Sequence, residues 1–506
     1  MQFIKTHCYQ VFFAGLLGSC ALSDEPNSIP KTAFLYEPAG GVAADVIPYF
    51  GNGAFHILHL QLKNGQRQAW DWAEIVTEDF VGCDFTGVAL TGPGDEEAPD
   101  HDIFTGSIFE KNDQFYAFYS GHSKSLDKKK GVKFQQVFLA TSPNGTVWEK
   151  KTDFLFNTAG HPAYRFPGAC RDPFVFWNPE KKEYGMLITA ASVQYPSGSL
   201  AYASSPDLIH WRLDEPFPAS GRFPGYECSD LFYWGDCWYL IFSTYAENPG
   251  WATRYMMAPS LDGPWSSPID DFFDGGSLYA AKTVSDGSRR FLCGTLTRRD
   301  PDTTGIRSDD GPNGWSGRIL IYELHRRDDG TLGVRLPVSV EESFGKPEPV
   351  RLAAHPVWEK TDSGLQAVFG PARLALGTLP DRCLLQFNLT VPPTGRAGVW
   401  VGGDADGKQA FRLYVDTGTQ RLVWDRGHLP LGSDPEKERP YRPLPVQPGD
   451  QVSVKVLLDG NAAVACVDDD ICLSFRMYDR RDNTFGIWSD TVGAEISDMQ
   501  LRSVID

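Results

Sequence analysis

Five times between Phe55 and Arg299 the chain returns to one phrase, a polar turn followed by a strand crowded with aromatic and β-branched residues. The turns read GNGA, KNDQ, PEKKE, WGDC and SDGSRR. The strands are FHILHLQ from Phe55, FYAFYSGH from Phe115, YGMLITAAS from Tyr184, WYLIFSTYA from Trp238 and FLCGTLTRR from Phe291. A second echo, a turn ending in tryptophan, recurs at Trp148, Trp211 and Trp265, with TEDFVGCDF as a degenerate form in the first unit. Units of roughly 50 to 70 residues, each made of short strands joined by polar turns, have the pattern of propeller blades. The expected fold is all-β, with a five-bladed β-propeller over residues 31–345.

The remaining length needs a second domain. At 506 residues the chain exceeds the roughly 250 to 300 at which one core stops growing. Its 50 glycines and 36 prolines argue for many turns and few long helices. After Lys346 a proline-punctuated linker, KPEPVRLAAHPVWEK, leads into strands such as LLQFNLTV, AFRLYVDT and QVSVKVLLDG, which alternate apolar and polar residues between Gly-, Asp- and Pro-containing turns. That is a β-sandwich pattern, expected over residues 355–506. It holds no cluster of catalytic residue types.

A net charge of -18 with no basic block disfavours nucleic acid and anionic membrane as partners. The expected partner is a neutral sugar or polysaccharide, and the expected state a monomer. Lys5, the apolar run Val11 to Leu17 and the small residues Ser19 and Ala21 read as a secretory signal peptide over residues 1–22; Cys20 also permits a lipoprotein anchor. No later run is long enough to span a bilayer. In a secreted eukaryotic chain Asn144 and Asn388 are glycosylation sequons. Eight cysteines outside the signal permit disulfides, although Cys170 and Cys228 sit in apolar strands where buried thiols fit equally well. No spacing points to zinc; neither a metal nor a cofactor is expected.

Two stretches carry chemistry. ACRDPFVFW places Arg171 and Asp172, and YECSDLF places Glu227, at the edges of strands from different units. Asp45 precedes another aromatic strand, so the three carboxyls are candidates to meet at one mouth of a central channel. Paired carboxyls at one site suit glycoside hydrolysis, in which one group protonates the leaving oxygen and the other, ionised, attacks the sugar or stabilises its cation. The alternative at this level is a structural Arg171–Asp172 pair with Glu227 as a solvated turn residue.

Taken together these elements resemble glycoside hydrolase family 32, the β-fructofuranosidase, inulinase and levanase family. RDP at Arg171 to Pro173 matches its RDP box, Glu227-Cys228 its EC box, YAAKT at Tyr279 its fifth-blade element, FTGS at Phe104 its FSGS box, and Trp315 opens the closing segment. QVSVKVLLDGNAAVACVDDDICLSFRMY is similar to the hallmark of the family's second domain. The first box departs. Where the family has WMNDPNG and then a strand ending in glutamine, this chain has GGVAADVIPYFGNGAFHILHLQ, so Asp45 alone matches the nucleophile and the glutamine position falls on Leu60.

The resemblance implies a retaining mechanism. Asp45, ionised, attacks the anomeric carbon, Glu227 serves as acid and then base, and Asp172, oriented by Arg171, stabilises developing positive charge. Ser107, Tyr279 and Trp315 are further candidates for sugar contacts. The missing first-box groups imply weak handling of a small substrate such as sucrose. The alternatives are the arabinan- and xylan-directed family 43, transfer of fructosyl to another sugar, and a carbohydrate-binding propeller that has lost catalysis.

Overall fold

The computed structural model describes residues 33–505 apart from 40, 64–68, 132–133, 166–168, 196–197, 245–250, 300–307, 310–312, 404–406, 408–409, 427–439 and 481. The expected signal segment, with Cys20, lies outside the described residues. Among these residues the only helices are the short Lys124–Lys130 and Val338–Glu342. No helix among the described residues is long and apolar enough to cross a membrane.

Each predicted turn joins the first two strands of a unit. Gly41–Gly51 pairs with Ala54–Lys63, Asp102–Lys111 with Gln114–His122, and Arg171–Asn178 with Glu183–Ser192. Glu227–Trp234 pairs with Cys237–Thr244, and Leu278–Ser285 with Arg290–Arg299, all antiparallel. Asn52-Gly53 and Asn112-Asp113 have positive φ at both central positions. This geometry matches the right-handed twist of the strands, and Asn, Asp and Gly reach it at least cost. A third strand follows in every unit, and the tryptophan echo lies beyond it: Trp211 and Trp265 donate their indole N–H to Leu208 O and Leu261 O, pinning the turn.

The first strands of the five units contact one another in sequence, and that of the fifth contacts that of the first. Apolar clusters fill the spaces between neighbours: Trp72 and Tyr119 join units one and two, Phe118 and Ile188 units two and three, and Phe176 and Trp238 units three and four. Burying one such side chain stabilises by about 1.5 to 3 kcal/mol, so neighbouring faces hold each unit in place. The strand Asn313–Arg326 of the fifth unit also reaches the first, through Gly317 opposite Ala43 and Ile319 opposite Tyr36.

The C-terminal strands form two sheets, one built on Arg382–Thr390, Gln451–Asp459 and Glu495–Ser503, the other on Arg396–Val401, Phe411–Asp416 and Thr484–Ser489. A core including Leu385, Val399, Leu413, Val456 and Ile487 lies between them, drawn from the inward positions of the alternating pattern. The proline-rich linker is not loose: Glu348–Pro349 pairs with Gln500 and Leu501 of the last strand. Cys466 and Cys472 form a disulfide, while Cys83, Cys170, Cys228, Cys237, Cys293 and Cys383 are thiols outside it. Asn388 lies half-exposed in the strand Arg382–Thr390, and its carboxamide nitrogen donates to Asp498 at 2.9 Å.

The two halves are seamed by buried polar contacts. Both oxygens of Asp274 accept Ser474 N at 3.1 Å, and Oδ2 also accepts the Tyr322 hydroxyl at 2.8 Å. The neighbouring Gly275 is packed so closely that a Cβ there meets Tyr441 N at 2.8 Å. Arg442, 1% exposed, donates to Asp270 at 2.7 Å.

Candidate active site

Every first strand breaks register near its start. The shifts fall between Ala44 and Val46, Phe104 and Gly106, Arg171 and Phe174, Glu227 and Asp230, and Tyr279 and Lys282. Asp45, Asp172, Cys228 and Ala280 hold positive φ at four of these bulges. A bulge re-aims the residues around it. Left-handed backbone at a non-glycine residue costs about 1 to 3 kcal/mol, which the surrounding contacts must offset.

Those contacts repeat from unit to unit. The residue opposite each pre-bulge position is Ser120, Thr189, Ser243 or Thr295 in units two to five and Leu60 in unit one. Ser120 Oγ accepts the bulge amide of Asp172 at 2.7 Å, and Ser243 Oγ accepts that of Ala280 at 2.9 Å. Thr189 Oγ1 donates to Tyr226 O at 2.5 Å, and the Asp172 carboxylate accepts Cys228 N at 3.1 Å. A hydroxyl of one unit therefore fastens the bulge of the next.

By this register Glu227 is the counterpart of Arg171 and Tyr279, whereas Asp172 corresponds to Cys228. The two acids of the RDP and EC boxes stand one residue out of step. Even so, Asp45, Asp172, Glu227, Arg171, Tyr279 and Trp315 line one cavity of about 390 Å³. Phe104 and Cys228, noted in sequence only as parts of motifs, and Gln135 and Trp251, which sequence reasoning did not single out, complete its wall. Ser107 does not reach it. Its strand is back in register beyond the bulge, opposite Phe118, and its hydroxyl accepts Val175 N of the next unit at 3.0 Å, a packing role in place of the expected sugar contact.

Arg171 Nη2 donates to Glu227 Oε1 at 2.6 Å, and its Nε lies 3.7 Å from Asp172 Oδ2. The Tyr279 hydroxyl donates to Glu227 Oε2. Burial, then the charges of Glu227 and Cys228, hold that phenol far above its usual range, so it stays a donor. Lys282, 2% exposed, donates to Gly106 O at 2.8 Å and brings an ammonium close to Asp45, Asp172 and Asp230. Burial lowers its pKa, and those carboxyls oppose the loss of its proton.

Asp45 is expected to be ionised, and its surroundings oppose that form. Burial, reinforced by the charges of Asp172 and Glu227, pushes its carboxyl up to about 8, and Lys282 and a hydrogen bond from the Cys228 thiol offset this only in part. These surroundings favour the protonated form of the resting Asp45. Asp172 is also raised, by burial first, with Arg171 pulling the other way. The position expected to carry a glutamine is apolar: Leu60 is fully buried beside Trp72 and Leu58. A carboxamide reaches the cavity from elsewhere, since Gln135, 2% exposed, lines it and its Oε1 has no hydrogen-bond partner.

Carboxyls with unequal environments around a polar cavity, carried by an all-β scaffold, define a hydrolase of glycosidic bonds. Residues 36–325 match the profile of the glycosyl hydrolases family 32 N-terminal domain, and the chain belongs to that family. It is 23% identical to a sucrose-6-phosphate hydrolase of Escherichia coli over 423 residues, 80% of either chain. It is 23% identical to a raffinose invertase of the same organism over 474 residues, 90% of this chain and 89% of the other. Among solved structures, fructan 1-exohydrolase IIa from Cichorium intybus superposes with a TM-score of 0.73 at 15% identity, covering 95% of this chain and 98% of that one. Sucrose-6-phosphate hydrolase from Lactobacillus gasseri gives 0.72 at 14%, covering 95% and 94%. These two likenesses speak for the fold.

Proposed function

We propose that the protein hydrolyses β-fructofuranosides with retention, through a fructosyl-enzyme intermediate. The observation that carries this reading is that Asp45, Asp172 and Glu227, from three units, line one cavity with Arg171 and Tyr279. In the proposed roles Asp45 attacks the anomeric carbon and Asp172 accepts ring hydroxyls. Glu227, held by Arg171 and Tyr279, gives its proton to the leaving oxygen and then activates water. The attack needs Asp45 ionised, against the burial that favours its protonated form at rest. Positive charge developing on the sugar beside Asp45 favours its ionised, nucleophilic form.

The architecture we infer is a five-bladed propeller over residues 31–345 and a sandwich over 355–506, supported by the cyclic contacts of the five first strands. Export through the 1–22 segment is part of the same proposal, and the Cys466–Cys472 disulfide supports an oxidising destination. The relatives named for sucrose phosphate, raffinose and fructan support a fructoside substrate.

Glu227→Gln tests the assignment. It is expected to lower kcat about 10²- to 10⁴-fold on sucrose or a fructan, and far less on a fructoside whose leaving group needs no proton. Equal losses on both remove Glu227 as the acid. An inverted first-formed anomer in wild type removes the retaining mechanism.

A further inference from the structure

Gln135 opens the third strand of unit two, Gln135–Ser142, and stands in the wall of the catalytic cavity with 2% of its surface exposed. Among the described residues its Oε1 is a buried acceptor without a hydrogen-bond partner. Buried side-chain polar atoms are nearly always paired, because an unpaired one forfeits the hydration it had in the unfolded chain. An amide left open in the wall of a polar cavity gains its partner from what enters that cavity.

Its placement is fixed by neighbours on each side. The backbone of Gln135 pairs with His122 across the sheet and bridges Ala169, two residues before Arg171, in the parallel sense. The His122 ring lies between Asp102 Oδ2 at 3.2 Å and Asp127 Oδ2 at 2.8 Å, and Asp127 Oδ1 accepts Phe134 N at 2.7 Å. The strand thus enters the site clamped, and its backbone has little freedom left to lose when a ligand binds. The last torsion of a glutamine is broad and two-fold, so the side chain can turn its oxygen or its amide nitrogen to the cavity. A sugar hydroxyl, donor and acceptor at once, matches either.

The order of the units says which part of a substrate Gln135 meets. Unit two stands between unit one, which carries Asp45, and unit three, which carries Arg171 and Asp172. Glu227 and its partner Tyr279, which serve the leaving oxygen in the proposed roles, come from units four and five. The position matching the family's glutamine is the apolar, buried Leu60, and the Ser107 hydroxyl of unit two is engaged with Val175 N. We infer that Gln135 binds a hydroxyl of the fructosyl ring and supplies, from the third strand of unit two, a polar contact that those two positions do not. The assignment rests on the function proposed above.

The test compares kcat/KM of wild type and Gln135→Met, an apolar side chain of similar length, on β-fructofuranosyl fluoride and on its analogues lacking the 1-, 3-, 4- or 6-hydroxyl. The fluoride reduces the leaving group to one atom, so the remaining contacts are with the ring. Gln135→Met is expected to lose about 3- to 10-fold on the parent fluoride, the size of one hydrogen bond between neutral groups. On the analogue without the bonded hydroxyl the two enzymes are expected to agree within about twofold, while the other analogues keep the full loss. Comparing substrates within one variant cancels any difference in the fraction folded. An equal loss on every fluoride is the signature of a structural role and overturns the assignment. So does the absence of a loss on the parent fluoride, and a loss that then appears with sucrose moves Gln135 to the leaving group. These results leave the fructosidase reading standing, whereas no turnover of the parent fluoride by wild type overturns that reading and this one together.

Discussion

At Asp45 the needs of the chemistry and of the fold oppose each other. Its carboxyl titrates near 3.8 when exposed and at about 8 in the site. Below the lower value both states hold the proton and the residue contributes nothing to pH dependence. Between the two the unfolded chain has released a proton that the folded one keeps, so stability falls as pH rises, and the full deficit is reached above about 8. At about 1.36 kcal/mol per pKa unit the deficit is on the order of several kcal/mol. Asp45→Asn removes the titration. The variant is expected to melt near wild type at pH 4 and several degrees above it at pH 8, and to lose about 10³-fold or more in kcat. A melting-point difference that stays flat across this range, followed by calorimetry, sinks the account of Asp45 as a buried proton holder.

Strands set the direction in which these groups point, and the bulge is the device. Asp45, Asp172 and Glu227 were recognisable from sequence as acids opening strands, but a motif does not reveal a register shift. The hydroxyls that fasten the bulges left a faint trace: the steps Phe115 to Ser120, Tyr184 to Thr189 and Trp238 to Ser243 are equal in the repeat. Gly106 shows how little room the second bulge has, since a Cβ there lies 1.9 Å from Phe118 O and 2.8 Å from Tyr119 Cα, both backbone. Gly106→Ala is expected to destabilise by about 1 to 3 kcal/mol, as overpacking does, and to lower kcat, because Gly106 O anchors Lys282. Gly82→Ala, with nothing within 4 Å, is the control and is expected to stay within about 0.5 kcal/mol. Equal melting curves for the two variants would show that the bulge yields freely.

Over the whole molecule, the cavities are products of packing between units and between halves. Asp274 bridges that last boundary by accepting Ser474 N on both oxygens, while Tyr322 of its own half donates to Oδ2. Removing it in Asp274→Ala leaves a buried amide and hydroxyl unpaired, a loss of about 1 to 3 kcal/mol for each. Calorimetry is expected to show a lower midpoint and a separation of the two halves into distinct transitions. A single transition at the wild-type midpoint would place the coupling elsewhere in the seam, at Arg442–Asp270 or Arg327–Asp470.

The chain by itself determined what short-range forces govern. The five hairpins, their turn residues and the alternating C-terminal strands follow from side-chain period and turn chemistry within about ten residues, and the acids of the RDP and EC boxes from the family resemblance of those motifs. The tertiary structure decided what depends on approach across tens or hundreds of residues. It set the one-residue offset between Asp172 and Glu227, the loss of Ser107 to packing, and the presence of Gln135 and Trp251 at the site. It also set the raised pKa of Asp45 and the gathering of four arginines in the seam. Burial and Coulomb interaction act through space, so neither a carboxyl's charge state nor a cavity's sign is legible until the fold has brought its neighbours together.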